Sequence, residues 1–100
     1  MITPDSTVLD VGGGAGKFAL PLALRCRYVT VVDSSKSMLR ELGYGARASG
    51  IKNLDIICGN WEEVEVECAD VVLCSHVIYG IADVAPFIRK LESHASKRVL

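Results

Sequence analysis

The sequence predicts an α/β fold in which a doubly wound parallel sheet carries helices on both faces. Two observations lead to this prediction. Along its 100 residues, short runs of β-branched residues alternate with segments whose apolar residues recur at helical spacing. The strand-like runs are also apolar at nearly every position, which is typical of strands buried on both faces. Half of the residues are hydrophobic, so we expect residues 1–100 to form a single folded domain.

The first strand-like run, at residues 7–11, leads into a turn with four glycines in five positions. A helical apolar pattern follows from Phe18 to Leu24. A strand, a glycine turn and a helix form the first half of a βαβ unit of the kind that binds nucleotide-like cofactors. Glycines allow a ligand to lie against bare backbone, and the first amides of the helix are unpaired donors.

The spacing of the glycines indicates which ligand fits. A dinucleotide-binding G-x-G-x-x-G would need glycine where Lys17 or Ala19 stands, and a phosphate-binding loop would need serine or threonine instead of Phe18. An acid inside the turn suits a cation better than a pyrophosphate. The pattern is an acid followed by G-x-G-x-G, formed by Asp10, Gly12, Gly14 and Gly16.

This string resembles motif I of the class I S-adenosylmethionine-dependent methyltransferases, whose fold is Rossmann-like. The resemblance implies that S-adenosyl-L-methionine is the cofactor and that Asp10 and the turn glycines face its methionine end. The resembled fold has a seven-stranded sheet, and residues 7–100 match its first half up to the start of strand 5. A sheet ending at Leu100 would leave an apolar edge open, so we expect this chain to be a fragment of a longer protein.

The second strand is predicted at residues 28–33 and ends in Asp33. An acid at this position can accept hydrogen bonds from both hydroxyls of a ribose, in dinucleotide enzymes as well as in methyltransferases. The alternative is an aspartate that caps the next helix. Ser34 and Ser35 offer an N-cap for that helix, and Gly43 and Gly45 predict a frayed or bent segment further along it.

Three side chains, those of Met38, Asn60 and Trp61, are candidates for contact with the nucleoside. The resemblance places Met38 near the adenine ring, although a core methionine is an equally good interpretation. After a third strand at residues 54–58, Asn60 stands where the resembled family usually has an aspartate that bonds the adenine amino group, and its carbonyl can accept the same bond. Trp61 can stack on the base, form a pocket wall, or pack against a helix.

A fourth strand at residues 70–74 precedes Ser75, His76 and Tyr79, which should line the same crevice as the glycine turn. His76 is the candidate general base, and the alternative is a histidine that bonds backbone at the pocket wall. A final helix is expected from Asp83 to Ala95, with His94 at the surface, and a fifth strand from residue 97. The predicted cofactor-binding residues are Asp10, Gly12, Gly13, Gly14, Gly16, Asp33, Ser34, Met38, Asn60, Trp61, Cys74 and Ser75.

Composition limits the possible partners and the compartment. The net charge of −1 and the pI of about 6.1 provide no overall basic surface for nucleic acid or an anionic membrane. The chain has no apolar run of membrane-spanning length and no signal-peptide pattern at its N-terminus. Four cysteines without a regular framework favour a reducing cytoplasm. Cys68, Cys74 and His76 lack a recognised zinc spacing, so no metal is expected.

The resemblance implies transfer of a methyl group by in-line displacement on an activated sulfonium, for which a protein orients the reactants, excludes water and takes up a proton. After the fourth strand there is no Asn-Pro-Pro-Tyr and no Pro-Cys, the strings of resembled nucleic-acid enzymes, which favours a small-molecule acceptor. An NAD(P)-dependent oxidoreductase is one alternative, against which Lys17 counts. A non-catalytic S-adenosylmethionine-binding module is another. The sequence indicates neither the acceptor nor the oligomeric state.

Overall fold

Five parallel strands form one sheet in the order β3-β2-β1-β4-β5. The structure, a computed structural model, describes residues 2–74 and 84–100. The elements in chain order are β1 (Thr7–Val11), α1 (Ala19–Ala23), β2 (Tyr28–Asp33), α2 (Lys36–Ala48), β3 (Leu54–Cys58), β4 (Ala69–Cys74), α3 (Val84–His94) and β5 (Ala95–Val99). The predicted doubly wound parallel fold is therefore confirmed.

The strand order reverses at β1, which pairs with β2 on one side and with β4 on the other. Val11, the last residue of β1, is in register with Val32 of β2 and with Cys74 of β4. The carboxyl ends of the three strands therefore lie side by side. In open α/β sheets this switch point is where ligands bind.

Two apolar layers cover the sheet because successive residues of a strand point to opposite faces. Val8 and Val31 belong to the layer under α1 and α2, which also contains Leu39 and Leu42. Leu9 and Val32 belong to the opposite layer, and the list of its other buried members is Val11, Trp61, Ala69, Val72, Phe87 and Leu91. Helices on both faces thus account for the apolar residues at most positions of β1, β2 and β4.

Helix α1 is shorter than its apolar pattern predicts. The helix begins at Ala19 and ends at Ala23, with Phe18 as an exposed N-cap, and the predicted helical residue Leu24 is 73% exposed. The side-chain amide of Asn53 donates to the carbonyls of Ala23 and Cys26 at 2.7 and 3.2 Å. These bonds take up carbonyls at the end of the helix, a contact that no local sequence pattern reveals.

Helix α2 does not fray at its two glycines, so the predicted fray is wrong. The helix runs unbroken from Lys36 to Ala48 after Ser35, whose hydroxyl accepts the Met38 N–H at 3.3 Å. A Cβ on Gly45 would lie 2.9 Å from Leu20 Cδ1. Gly45 is therefore the place where α1 packs closely on α2, and this contact explains a glycine in a helix interior.

The predicted end of the α2 segment at Gly50 is confirmed. Gly50 has a φ of +70° and donates to the Arg47 carbonyl at 3.2 Å, while Ile51 donates to the Ala46 carbonyl at 2.9 Å. This pair of bonds is the Schellman arrangement, in which a left-handed residue closes the helix.

The last helix and strand join without a loop, so two predicted boundaries are wrong. Ala95 was expected on the helix but begins β5, where it pairs with Ala69. The predicted helix start at Asp83 lies outside the described residues.

At the end of the sheet where Ala69 pairs with Ala95, Asp70 accepts the Thr7 N–H at 3.1 Å and the Ser96 hydroxyl at 3.1 Å. These bonds hold the pKa of Asp70 below its usual value. Among the described residues, no helix has the length and apolar character to cross a membrane.

Candidate functional site

The glycine turn at the end of β1 alternates ordinary and left-handed backbone. Gly12, Gly14 and Gly16 have φ values of +76°, +56° and +98°, a conformation that costs other residues about 1–2 kcal/mol each. The Gly12 N–H donates to the Val32 carbonyl at 2.6 Å and anchors the start of the turn to β2. The backbone itself therefore explains the G-x-G-x-G spacing.

Gly13 is needed for a different reason, which is close packing. A Cβ at Gly13 would lie 2.7 Å from Asp10 Oδ2 and 2.8 Å from Val31 Cγ1. At Gly16, a Cβ would lie 2.5 Å from Leu42 Cδ1 on α2. The turn therefore lies directly on the Asp10 carboxylate and against α2, with no side chain between them.

Asp10 is the most unusual polar group among the described residues. It is 1% exposed, and neither carboxylate oxygen has a hydrogen-bond partner in the part of the chain that the structure describes. Burial, followed by the charge of Asp33, raises its pKa to about 6. A buried carboxylate without a partner is costly, and a cationic group bound at the turn would offset that cost. The site thus fits a cationic ligand.

Asp33, at the carboxyl end of β2, connects the turn to α2. Its Oδ2 accepts the Gly14 N–H at 2.9 Å, and its Oδ1 accepts the Ser35 N–H at 2.8 Å. A carboxylate has about four acceptor positions, so two remain for a ligand. The alternative of an aspartate that caps α2 is wrong, because Ser35 is the N-cap and Asp33 accepts the N–H of that residue. The remaining acceptor positions leave room for the ligand role.

A cavity of about 200 Å³ opens beside the turn at the carboxyl ends of β1, β2 and β3. It brings together residues from three separate stretches that the sequence singled out, and it adds Phe87 from α3. The lining residues are Gly12, Val32, Asp33, Ser34, Gly59, Asn60, Trp61 and Phe87. The sequence could not indicate Phe87, because an apolar residue in a helical pattern does not show which part of the protein it will contact.

Trp61 forms the rear wall of this cavity and packs against α3, as one of the sequence interpretations proposed. It is 3% exposed, and its Nε1 donates to the Phe87 carbonyl at 3.4 Å. The His94 ring meets it edge-on, with ring centroids 5.2 Å apart. His94 lies in the last turn of α3 and is partly exposed, so its predicted position at the surface agrees with the structure, while one edge of its ring contacts Trp61.

Lys90 ties the connection after β3 to α3, a role that the sequence did not indicate. Its ammonium donates to the carbonyls of Trp61 and Val64 and lies 4.7 Å above the centre of the Trp61 ring. The bonds join residues 26 and 29 positions apart, so no local pattern could have revealed them. Lys90 thus keeps the wall of the cavity in place.

The two candidate contacts to a base differ in their surroundings. Asn60 is exposed, and its Oδ1 accepts the Glu62 N–H at 3.0 Å, which leaves one lone pair for a ligand. Met38 is 42% exposed, and its Cε would lie 3.1 Å from a Cβ on Gly14. The core interpretation of Met38 is therefore wrong, since the side chain lies on the glycine turn.

Cys74, at the end of β4, lines a second cavity of about 180 Å³ together with Phe18, Leu73 and Leu100. Burial, followed by the charge of Asp10, raises the pKa of the thiol to about 11. The thiol is therefore neutral at physiological pH.

Three predicted site residues, Ser75, His76 and Tyr79, lie outside the described residues. Within residues 2–74 and 84–100 no three His, Cys, Asp or Glu side chains come together as a metal site would need. Cys26, Cys58, Cys68 and Cys74 are all free.

Comparison with known proteins gives several relatives that are methyltransferases. A ubiquinone biosynthesis O-methyltransferase of Rickettsia prowazekii is 38% identical over 88 residues, which are 87% of this chain and 34% of the relative. A 23S rRNA (uracil(1939)-C(5))-methyltransferase of Legionella pneumophila is 35% identical over 57 residues, which are 57% of this chain and 13% of the relative. The chain spans about a third of the length of the first of these.

Solved structures agree with the fold. Coclaurine N-methyltransferase bound to N-methylheliamine and SAH superposes with a TM-score of 0.85 at 26% identity, over 96% of this chain and 29% of that one. A dimethyladenosine transferase from Plasmodium falciparum gives a TM-score of 0.82 at 26% identity, over 97% of this chain and 34% of that one. A family described as a methyltransferase domain matches residues 9–97. This chain belongs to that methyltransferase domain family.

Proposed function

We propose that this chain is the cofactor-binding part of an S-adenosylmethionine-dependent methyltransferase. One observation carries the proposal: a buried carboxylate, Asp10, lies without a partner directly beneath a turn of bare backbone. A second carboxylate, Asp33, stands beside it and raises its pKa. Two acids repel a pyrophosphate and attract a cationic ligand. The named relatives, which are methyltransferases, support the same ligand.

We assign the predicted residues to the parts of this cofactor as follows. Asp10 and the glycine turn face the cationic methionine end, and the two free acceptor positions of Asp33 take the ribose hydroxyls. The free lone pair of Asn60 accepts from the adenine amino group. Trp61 forms the wall beside the base. Ser34, Met38, Cys74 and Ser75 complete the predicted set.

When bound, the cofactor supplies a methyl group already activated on a sulfonium. The protein's residues then orient this group, exclude water and hold charge. The apolar cavity at Phe18 and Cys74 adjoins the end of β4 and offers an apolar surface next to the methionine end. His76 remains the proposed general base for the proton of the acceptor.

We propose a small molecule as the methyl acceptor, with a hydroxyl as the acceptor group. The support is the name of the Rickettsia relative, an O-methyltransferase of ubiquinone biosynthesis. The rRNA-modifying relative matches only 57% of this chain, and the net charge of −1 gives no overall attraction to nucleic acid. Four free thiols favour the cytoplasm. A nicotinamide-dependent oxidoreductase is disfavoured, while a non-catalytic binding module shares the same cofactor site.

The proposal is tested by calorimetric titration of the chain with S-adenosylhomocysteine and, in parallel, with NADH. We expect binding of the first ligand only. Asp33→Asn should weaken it at least tenfold, because hydrogen bonds to a charged group contribute about 1.5–3 kcal/mol each. Asp55→Asn, which removes an exposed carboxylate from β3, is the matched control and should bind as the wild type does.

Binding of NADH instead would overturn the cofactor assignment. An equal loss in Asp33→Asn and Asp55→Asn would show that Asp33 does not contact the ribose. Transfer of radiolabelled methyl groups to phenolic acceptors, compared with ribosomal RNA, then tests the acceptor class and separates an enzyme from a binding module.

A further inference from the structure

Asp10 belongs to a small electrostatic cluster at the switch point of the sheet. Burial, followed by the charge of Asp33, raises the pKa of Asp10, and burial, followed by the charge of Asp10, raises the pKa of the Cys74 thiol. Asp10 is 1% exposed and its oxygens have no partner within the described residues. The cluster therefore holds uncompensated negative charge beneath the glycine turn.

We propose that a proton and the cationic methionine end of the cofactor compete for Asp10, so that pH controls the affinity of the site for its cofactor. The inference rests on the proposed function, since it needs a ligand with a positive charge at that end. The inference adds that Asp10 is deprotonated when the cofactor is bound.

The described residues around Asp10 favour this competition. From β2 it faces the apolar Val31, with Asp33 at the end of that strand, and from β4 it is in register with Leu73, next to the neutral Cys74 thiol. The turn above it is glycine backbone. The α2 side chains nearest the turn, Met38 at Gly14 and Leu42 at Gly16, carry no charge.

The nearest cation along the chain does not compensate Asp10. Lys17 is exposed, and its ammonium lies 5.7 Å from the centre of the Phe18 ring. Both groups that act electrostatically with Asp10, Asp33 and Cys74, are acids. A bound cation would therefore be the partner that the described residues do not supply.

The direction of the effect follows from the raised pKa of about 6. Above that pH Asp10 carries the charge that attracts a cation, and below it the carboxyl is neutral. If only the charged form binds well, affinity should fall about tenfold between pH 7 and pH 5. At pH 6 about half of the sites hold a proton, so binding should release about half a proton per ligand.

Calorimetry measures both quantities without any need for turnover. The chain is titrated with S-adenosylhomocysteine, which has the cationic amino group, at pH 5, 6 and 7 in buffers of different ionisation enthalpy. The matched ligand is 5′-methylthioadenosine, which keeps the nucleoside and lacks the cation. We expect pH-dependent affinity and proton release with the first ligand, and neither with the second.

Variants identify the group that takes up the proton. Asp10→Asn should bind S-adenosylhomocysteine with an affinity that no longer changes from pH 5 to pH 7, and the control Asp55→Asn should keep the tenfold change. Proton release by the wild-type chain tests the proposal even if Asp10→Asn fails to fold.

Four outcomes would overturn the inference. Three of them would leave the proposed function intact. These are equal affinity of the wild type at pH 5 and pH 7, equal proton release with both ligands, and an unchanged pH dependence of binding in Asp10→Asn. The absence of S-adenosylhomocysteine binding at every pH would overturn the proposed function together with the inference.

Discussion

Replacing Asp10 by asparagine should stabilise the folded protein at neutral pH, although it removes a predicted ligand contact. The carboxyl has a pKa of about 6 in the folded protein, compared with an ordinary value of 3.8. The folded state thus keeps a proton that the unfolded state loses, so the contribution of Asp10 to stability is highest below pH 3.8 and falls as pH rises through 6. The shift corresponds to about 3 kcal/mol at about 1.4 kcal/mol per pH unit, and we expect a gain of about 1–3 kcal/mol.

Urea unfolding at pH 5 and pH 7 is the measurement. An asparagine also buries polar atoms, but that cost is the same at both pH values, so the difference between the two gains isolates the titration of Asp10. From the two pKa values, the gain should be about 1 kcal/mol larger at pH 7 than at pH 5. Asp55→Asn, an exposed site, should show no such difference. A gain in Asp10→Asn that is equal at both pH values, or larger at pH 5, would refute the reasoning.

Three further predictions concern the frame of the site, and each is checked by urea unfolding. Gly16→Ala should lower the free energy of unfolding by about 2–4 kcal/mol, because its φ is positive and the new Cβ would lie 2.5 Å from Leu42 Cδ1. The control Gly50→Ala, whose Cβ would meet nothing within 4 Å, should lower it by only about 1 kcal/mol. Equal losses in the two variants would contradict this prediction. Lys90→Met removes the ammonium that donates to the carbonyls of Trp61 and Val64, so it should lower the free energy of unfolding by about 1–3 kcal/mol. It should also alter the near-ultraviolet circular dichroism of Trp61, and an unchanged spectrum would contradict the anchoring role of Lys90. Asn53→Ala should cost about 1–2 kcal/mol through the lost amide bonds to α1, and a neutral result would show that α1 ends without them.

The strands were the most predictable elements, for a local reason. β2 and β3 have the bounds that the sequence predicted, because each is a short run rich in apolar residues. The helices were less predictable, because contacts between distant residues decided their ends. Asn53 meets the carbonyls that end α1, and Leu20 lies against Gly45 inside α2.

The sequence by itself determined the positions of the site residues along the chain. Acids at the ends of β1 and β2 and glycines at alternate positions of a turn are local features, and they indicate an edge of the sheet at which strand ends meet. Three glycines with positive φ confirm the reason for that spacing. The same pattern of an acid and alternate glycines indicates the family, because these glycines allow the backbone to lie close to a ligand.

Only the tertiary structure decided the environment of those residues. Burial leaves Asp10 without a partner, and Trp61 packs against α3 under an ammonium from Lys90. Phe87 comes to the cavity from a helix 26 residues after Trp61. Burial and charge sum over everything that surrounds a group in space, which a linear pattern does not contain.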